Sequence, residues 1–466
     1  MDNPFDHIEP EFSALVKRFE LMLKKDDNYF FDVEEFEELI DYYLERHQTS
    51  KASKAIESAL GQHPKANNFL LRKSKLLAMT NNSHRALELL NEIEGADPTN
   101  SEIYLIKGAI YSHLKQYEKA IEEYNKAEQY ADDLEDLYTN IAFEYENNSQ
   151  YENAIVYLKK VVDLNPENEA VLYELSFCHE IIKKNDELIE WLSEYTDKHP
   201  YNKVAWFNLG IAYSNTELYE KAIEAYEFVI AIDDTFVSAW FNMGNTYSSI
   251  EQYRKAIKAY LETLRLEDPQ PVTHYYIGEC YEKLELFDRA IDYYRKAIDL
   301  DDEFADAWMG VGVCLEETGK RKSSLNFMSK ALELDPDNPD YWYIYGDTLH
   351  KEQNTEEAAF CYSKVSELDP ENPDIWLDYS EIYDNIDERE TAIDIINEGL
   401  EHQPRNASLY YRLAVYMIKS GKKERAADLV GKALKLNYNR HSEMFDYYPD
   451  MRMRNEIIEM VNTYRK

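Results

Sequence analysis

Basic side chains are scarce here: 51 Lys and Arg stand against 91 Asp and Glu in a chain of 466 residues, a formal charge of −40. So acidic a chain repels phosphate backbones and anionic lipid surfaces, and neither nucleic acid nor membrane is an expected partner. Cysteine is scarcer still, with four in all and no CxxC pair, so a disulfide framework or thiolate metal site has little to build on. No apolar run approaches the roughly 18 residues that a membrane-spanning helix requires. Residues 1–12 carry acids where a secretory leader needs a basic region, and a reducing cytoplasm is the expected compartment. Three Asn-x-Ser sequences, at Asn81, Asn147 and Asn406, are then incidental.

The signatures of catalysis are missing too. There is no HExxH, no GxSxG, no GxxxxGK[ST] and no GxGxxG opening a helix after a strand, and the histidines are scattered. Asp335, Asp337 and Asp340 begin like a calcium loop, but Gly346 stands where the closing bidentate Glu is required. The chain is therefore expected to be no enzyme and to need no cofactor or metal.

What is abundant is apolar material in a fixed rhythm. Hydrophobic residues make up 44% and aromatics 14%, with 39 Tyr, which is ample for a folded core. Trp206 and Trp240 lie 34 apart, as do Trp308, Trp342 and Trp376, so five of the six tryptophans share one lattice. With that aromatic at position 4, a 34-residue frame starts at 33, 67, 101, 135, 169, 203, 237, 271, 305, 339, 373 and 407, with no insertion. It leaves 32 residues before the repeats and 26 after them. Position 8 is small in eleven of the twelve, as Gly108, Ala142 or Ser176, with Ile40 the exception; position 20 is Ala in ten, failing at Leu188 and Ser324. Apolar spacing inside the frame is helical, as in Ala222, Ile223, Tyr226 and Ile230. Pro166, Pro336 and Pro370 close second helices, but five repeats lack that Pro, so their turns must rest on other signals. Cys178, Cys280 and Cys314 share position 10 and are expected to be small packing residues.

These residues resemble the tetratricopeptide repeat, W-x2-L-G-x2-Y then A-x3-F then P, most closely in Trp206, Leu209, Gly210, Tyr213, Ala222, Tyr226 and in Trp240, Met243, Gly244, Tyr247, Ala256, Tyr260. The resemblance implies an all-α fold, a right-handed superhelical α-solenoid of tandem helix-turn-helix repeats. Residues 1–32 are expected to form an N-terminal capping region, 33–440 twelve repeats, and 441–466 a C-terminal cap with a helix near Asn455 to Tyr464. Repeats one, two and five diverge most, through Ile40, Lys73 and His179, and local irregularity is expected there.

The resemblance also implies that the first helix of each repeat lines a concave groove through positions 2, 5, 6, 9, 12 and 13. In repeats six and seven these positions carry no charge: Phe207, Asn208 and Ser214 in one, Phe241, Asn242, Asn245 and Ser248 in the other, with Asn amides suited to pairing a peptide backbone. Farther along, Tyr275 joins the groove-facing set, and Glu279, Glu282, Asp306, Glu316, Glu317, Asp340, Asp347, Asp374, Asp378, Glu381 and Asp384 make the groove acidic, against Lys283 and Lys351 alone. Such a run favours basic ligands, and it equally fits a plain solvated face. Related domains that clamp chaperone tails use Lys at position 5 and Asn at position 9, a pair that no repeat here has. Arg72 and Lys75 suggest a smaller anion site.

The expected function is an interaction scaffold or adaptor holding an extended, basic or neutral peptide segment of a protein partner in that groove. The alternative is a self-assembling structural protein: residues 407–466 hold 12 basic and 7 acidic side chains, and opposite ends of the molecule would attract in weak self-association.

Overall fold

The computed structural model describes residues 10–25, 28–453 and 455–464. Residues 1–9, most of the stretch weighed for a leader sequence, lie outside the described residues. The described chain is helices and turns throughout, without a strand, and no helix in it is long and apolar enough to cross a membrane. It divides into two compact units, Met1–Asp233 and Asp234–Lys466.

In the first unit α1 (Pro10–Lys25) precedes six helix pairs: α2 (Val33–Glu45) with α3 (Thr49–Gln62), α4 (Asn67–Met79) with α5 (Ser83–Ala96), α6 (Ser101–His113) with α7 (Tyr117–Ala127), α8 (Leu134–Asn147) with α9 (Tyr151–Leu164), α10 (Glu169–Ile181) with α11 (Asn185–Lys198), and α12 (Lys203–Asn215) with α13 (Tyr219–Ile232). The second unit repeats the plan: α14 (Val237–Ser249) with α15 (Tyr253–Leu266), α16 (Pro271–Lys283) with α17 (Phe287–Leu300), α18 (Ala305–Glu317) with α19 (Arg321–Leu334), α20 (Pro339–Lys351) with α21 (Thr355–Leu368), α22 (Pro373–Asn385) with α23 (Arg389–His402), and α24 (Ala407–Lys419) with α25 (Lys423–Leu436). A terminal group follows, α26 (Ser442–Tyr447) and α27 (Asn455–Tyr464), with short 3-10 turns at Tyr438–His441 and Pro449–Met453.

Three devices repeat with the sequence frame. The first closes each pair. Position 15 takes a positive φ every time, as in Glu251 (59°) and Glu285 (57°), and only Gly319 and Gly421 are glycines. A left-handed backbone costs an L residue about 1–2 kcal/mol. A bond six residues long compensates it, as from Gln252 N–H to the Tyr247 carbonyl at 2.8 Å or Lys320 N–H to Leu315 at 2.8 Å.

The second device links one pair to the next. The position-4 indole donates to the carbonyl six residues back: Trp206 to Pro200 (3.0 Å), Trp240 to Asp234 (3.0 Å), Trp308 to Asp302 (2.9 Å), Trp342 to Pro336 (2.8 Å) and Trp376 to Pro370 (3.0 Å). Tyr104 and Tyr410 make the same bond, to Pro98 and Pro404. The carbonyl is what matters, so Asp234 and Asp302 serve where Pro is missing.

The third sets helix separation within a pair. At position 8 a β-carbon added to Gly244 would stand 2.5 Å from the Tyr260 ring, and one added to Gly278 would stand 2.7 Å from Tyr294. Gly108, Gly210 and Gly346 face Tyr124, Tyr226 and Tyr362 in the same way, and Gly312 faces Met328. Where position 8 is Ser or Ala, position 24 is smaller than Tyr: Ser74 with Leu90, Ala142 with Leu158, Ser176 with Leu192; Ile40 with Ile56 is the exception, two large residues together. Outside repeat one the pair's summed volume varies little, which is what a close-packed interior requires. The expected irregularity at repeats one, two and five shows in helix spacing: α2 and α3, α4 and α5, and above all α10 and α11 approach less closely than the other pairs, although the helices themselves are regular. There α2, α4 and α10 each run 13 residues like their neighbours, Ile40 is fully buried, and His179 is buried with Nδ1 2.7 Å from the Leu175 carbonyl. All four cysteines are free and buried.

The ends are covered. Leu15, Val16, Phe19 and Met22 of α1 join the core that includes Phe36, Leu39 and Tyr43. At the other end α24 buries eleven of its residues, because Met444, Phe445 and Met451 pack on it while Ile457 and Val461 of α27 extend the same core. Carried one step further, the frame places Tyr448 at position 8 and Pro449 after it. Pro ends the helix, and α26 stops after six residues.

Candidate functional site

The first helices carry the side chains expected to face a ligand, and the two units hold them differently. In the first unit, Phe207 is buried, its ring 6.4 Å from Tyr173 and 6.1 Å from Tyr226. Asn208 is buried as well, at 3% exposure, with Nδ2 enclosed and no hydrogen-bond partner. Ser214 is half-buried and hydrogen-bonds Tyr226, whose hydroxyl burial pushes up to about 12. The expectation of an open neutral floor through Phe207 and Asn208 is thus corrected: both side chains are buried, together with Val204 of the same helix.

The second unit is more open. Phe241, Asn242, Asn245, Ser248 and Tyr275 are all half-exposed. Between α14 and α16 lies a hollow of about 330 Å³, lined by Asn245, Ser248 and Ser249 of α14, Tyr253 and Tyr260 of α15, and Tyr276, Glu279 and Lys283 of α16. It exists because Ser248 and Ser249 are small where later repeats place Glu316 and Glu317 at the same positions. Its back wall is aromatic, Tyr260 stacking on Tyr276 at 5.8 Å and Phe241 lying 5.8 Å from each.

The floor is fixed from behind. Tyr260 comes from the second helix, passes beneath Gly244, and donates its hydroxyl to Asn245 Oδ1 at 2.7 Å. That bond orients the amide so that its NH2 is turned to donate elsewhere. Tyr294 does the same under Gly278, donating to Glu282 at 2.8 Å, and Cys314 adds a thiol at 3.6 Å. The position-10 thiols are therefore weak donors as well as packing groups: Cys178 faces Glu146 at 3.5 Å and Cys280 faces Ser248 at 4.0 Å. Removing the hydroxyl in Tyr260→Phe should leave Asn245 free to rotate, a loss of about 0.5–1.5 kcal/mol of hydrogen bonding. The expected result is faster release of a bound partner in surface plasmon resonance with the melting temperature close to wild type.

The acidic run is largely occupied by its own neighbours. Asp347 pairs with Lys351 (2.8 Å), and Lys351 also reaches Glu316 (3.0 Å). Glu381 pairs with Arg412 (3.1 Å), and Asp384 takes Lys419, Arg389 (3.3 Å) and the Tyr447 hydroxyl (2.9 Å). Asp378 accepts from Tyr343 at 2.5 Å, while burial pushes its carboxyl above the ordinary range. Asp306 accepts from Tyr341 at 2.6 Å. The expected continuous negative field is thus reduced to separate sites. Glu279 differs: it is half-buried, carries no ion pair among the described residues, and burial pushes its carboxyl up. Some of the basic C-terminal residues are engaged too, Arg440 with Ser408 and Glu443, Lys432 with Tyr410.

Arg72 and Lys75 do not form an open anion site. Arg72 binds Asp41 through two nitrogens at 2.9 and 2.6 Å, and Lys75 binds Glu102 at 2.6 Å. Beside that pair sequence reasoning missed an apolar hollow of about 650 Å³ between α4 and α6, floored by Leu105, Ile106, Ala109, Ala78 and Met79. Its signal was aliphatic residues at the ligand-facing positions, where amides and charges alone had been weighed.

Comparison with known proteins gives a consistent picture of type. A model of the C-terminal domain of cilia and flagella-associated protein 70 matches residues 236–445. Tetratricopeptide repeat models match residues 38–101, 101–133, 135–168 and 204–236. No curated protein matches. Similar solved structures include YrrB, described as a TPR protein with an unusual peptide-binding site, at 23% identity over 41% of this chain and 97% of that one, TM-score 0.35. MamA is 22% identical over 42% of this chain and 95% of its own, TM-score 0.30. The Cut9-Hcn1 hetero-tetramer of the APC/C is 14% identical over 86% and 93%, TM-score 0.40.

Proposed function

The chain belongs to the tetratricopeptide repeat family, and from that premise we propose that it is a protein-interaction scaffold that holds an extended segment of a partner along the first helices of its second unit. One observation carries the reading: between α14 and α16 an open hollow gathers an oriented amide, two serines, a tyrosine wall and one unpaired carboxylate. Convergent polar groups over an aromatic wall suit a peptide, whose backbone needs donors and whose side chains need contact area. Most other carboxylates at ligand-facing positions of this unit are already paired or hydrogen-bonded within the protein.

The test is a photo-crosslinking amino acid placed at Ser249, on the rim of the hollow, and separately at Leu261, an exposed residue of α15. In native lysate the Ser249 probe should capture a discrete protein through one short stretch, and the Leu261 probe should not. Capture at Leu261 alone would place the partner on the second-helix face and sink the proposal.

A further inference from the structure

We propose that the hollow between α14 and α16 receives an arginine or lysine side chain of the bound segment, with the cationic head at Glu279 and the stem against Tyr276. This rests on the segment-binding reading above and names what the segment must carry. Three features of the site converge on a cation. Glu279 is the anion in the lining, and no Lys or Arg of the described chain comes within ion-pair distance of it. Glu282 and Asp306 lie close enough to raise its carboxyl further, after burial itself, so the local field is negative. Lys283, which also lines the hollow, opposes them and outweighs either one singly, but it is exposed and stands outside ion-pair distance of Glu279, so the carboxylate keeps room for a closer cation.

The wall completes the fit. Tyr260 and Tyr276 are stacked, so the aromatic surface offered to the hollow is fixed, and a guanidinium or ammonium over such a face gains a cation–π contact. Ser248 and Ser249 offer hydroxyl oxygens as further acceptors, while the Asn245 NH2, freed by the Tyr260 bond to its carbonyl, suits a backbone carbonyl of the same segment. A neutral side chain would leave the partly desolvated Glu279 with only the solvated Lys283 to oppose it, which is the source of selectivity.

The experiment uses the full chain and two small probes of nearly equal shape, acetyl-arginine methylamide and acetyl-citrulline methylamide, titrated by saturation-transfer NMR. The arginine probe should bind about fivefold or more tightly than citrulline, the scale of one charge-assisted contact. Glu279→Gln should remove that preference, and Asp374→Asn, at an exposed acid two pairs beyond α18, should retain it. Ser249→Trp, which fills the hollow from an exposed position, should abolish binding of both probes. Equal binding of the two probes would overturn the inference, as would an arginine preference that survives in Glu279→Gln. A partner captured at Ser249 through a stretch with no Arg or Lys would also overturn it, while leaving the segment-binding reading intact.

Discussion

Gly244→Leu is expected to destabilise the second unit by about 1–3 kcal/mol, the usual cost of overpacking a closed core. A β-carbon alone would sit 2.5 Å from the Tyr260 ring, and that ring is 1% exposed with its hydroxyl tied to Asn245, so it has nowhere to go. The constant-volume pairing of positions 8 and 24 makes a sharper forecast. Gly244→Ala should cost stability alone, and Gly244→Ala with Tyr260→Leu should recover much of the loss, because Ala142 with Leu158 is a native combination. Gly95→Ala is the control: nothing lies within 4 Å of its added carbon, so helix propensity predicts no loss. Urea unfolding of the four variants measures the differences. Additive losses in the double variant would show that the two positions do not share one space.

Removal of residues 441–466 is expected to have the other large effect. It strips Met444, Phe445, Met451, Ile457 and Val461 from the core around α24. At about 25 cal/mol per Å² of apolar surface, uncovering several large side chains amounts to several kcal/mol, and the exposed face becomes a template for self-association. Light scattering should show aggregation of the truncated chain. The hollow between α14 and α16 shares no residue with this terminal core, so a partner segment should still bind the soluble fraction. A truncated protein that stays monomeric and melts unchanged would contradict the capping role of α26 and α27.

The fold was legible because its signals are periodic. Tryptophans 34 apart, small residues at position 8 and alanines at position 20 each name the same helix pair, and the structure places them at its contacts. The turns were not legible. Their positive φ falls on His47, Lys115, Glu217 and Gln353 as readily as on glycine, since the backbone bond across the turn supplies what the residue type does not. The volume exchange between Gly244 and Tyr260, or Ala142 and Leu158, was present in the sequence but invisible to a reading that judged each position alone. At the site, position predicted which residues face outward but not what else would reach them. Asn208 looked like Asn242, yet one is buried and the other half-exposed. Glu381 and Glu279 occupy the same repeat position, yet Arg412 pairs with one while the other has only Lys283 nearby, outside ion-pair distance. Such pairings depend on side chains 31 or more residues away, which local spacing does not reveal.

The most direct measurement is the affinity of the partner captured at Ser249 for the otherwise intact Ser249→Trp protein. Ser249 is exposed and lines the hollow, so a tryptophan there fills the space without entering the core. Circular dichroism and melting should match wild type, and affinity should fall about tenfold or more, a loss near 1.4 kcal/mol. Unchanged affinity in a correctly folded Ser249→Trp protein would contradict the assignment of this hollow as the place where the partner binds.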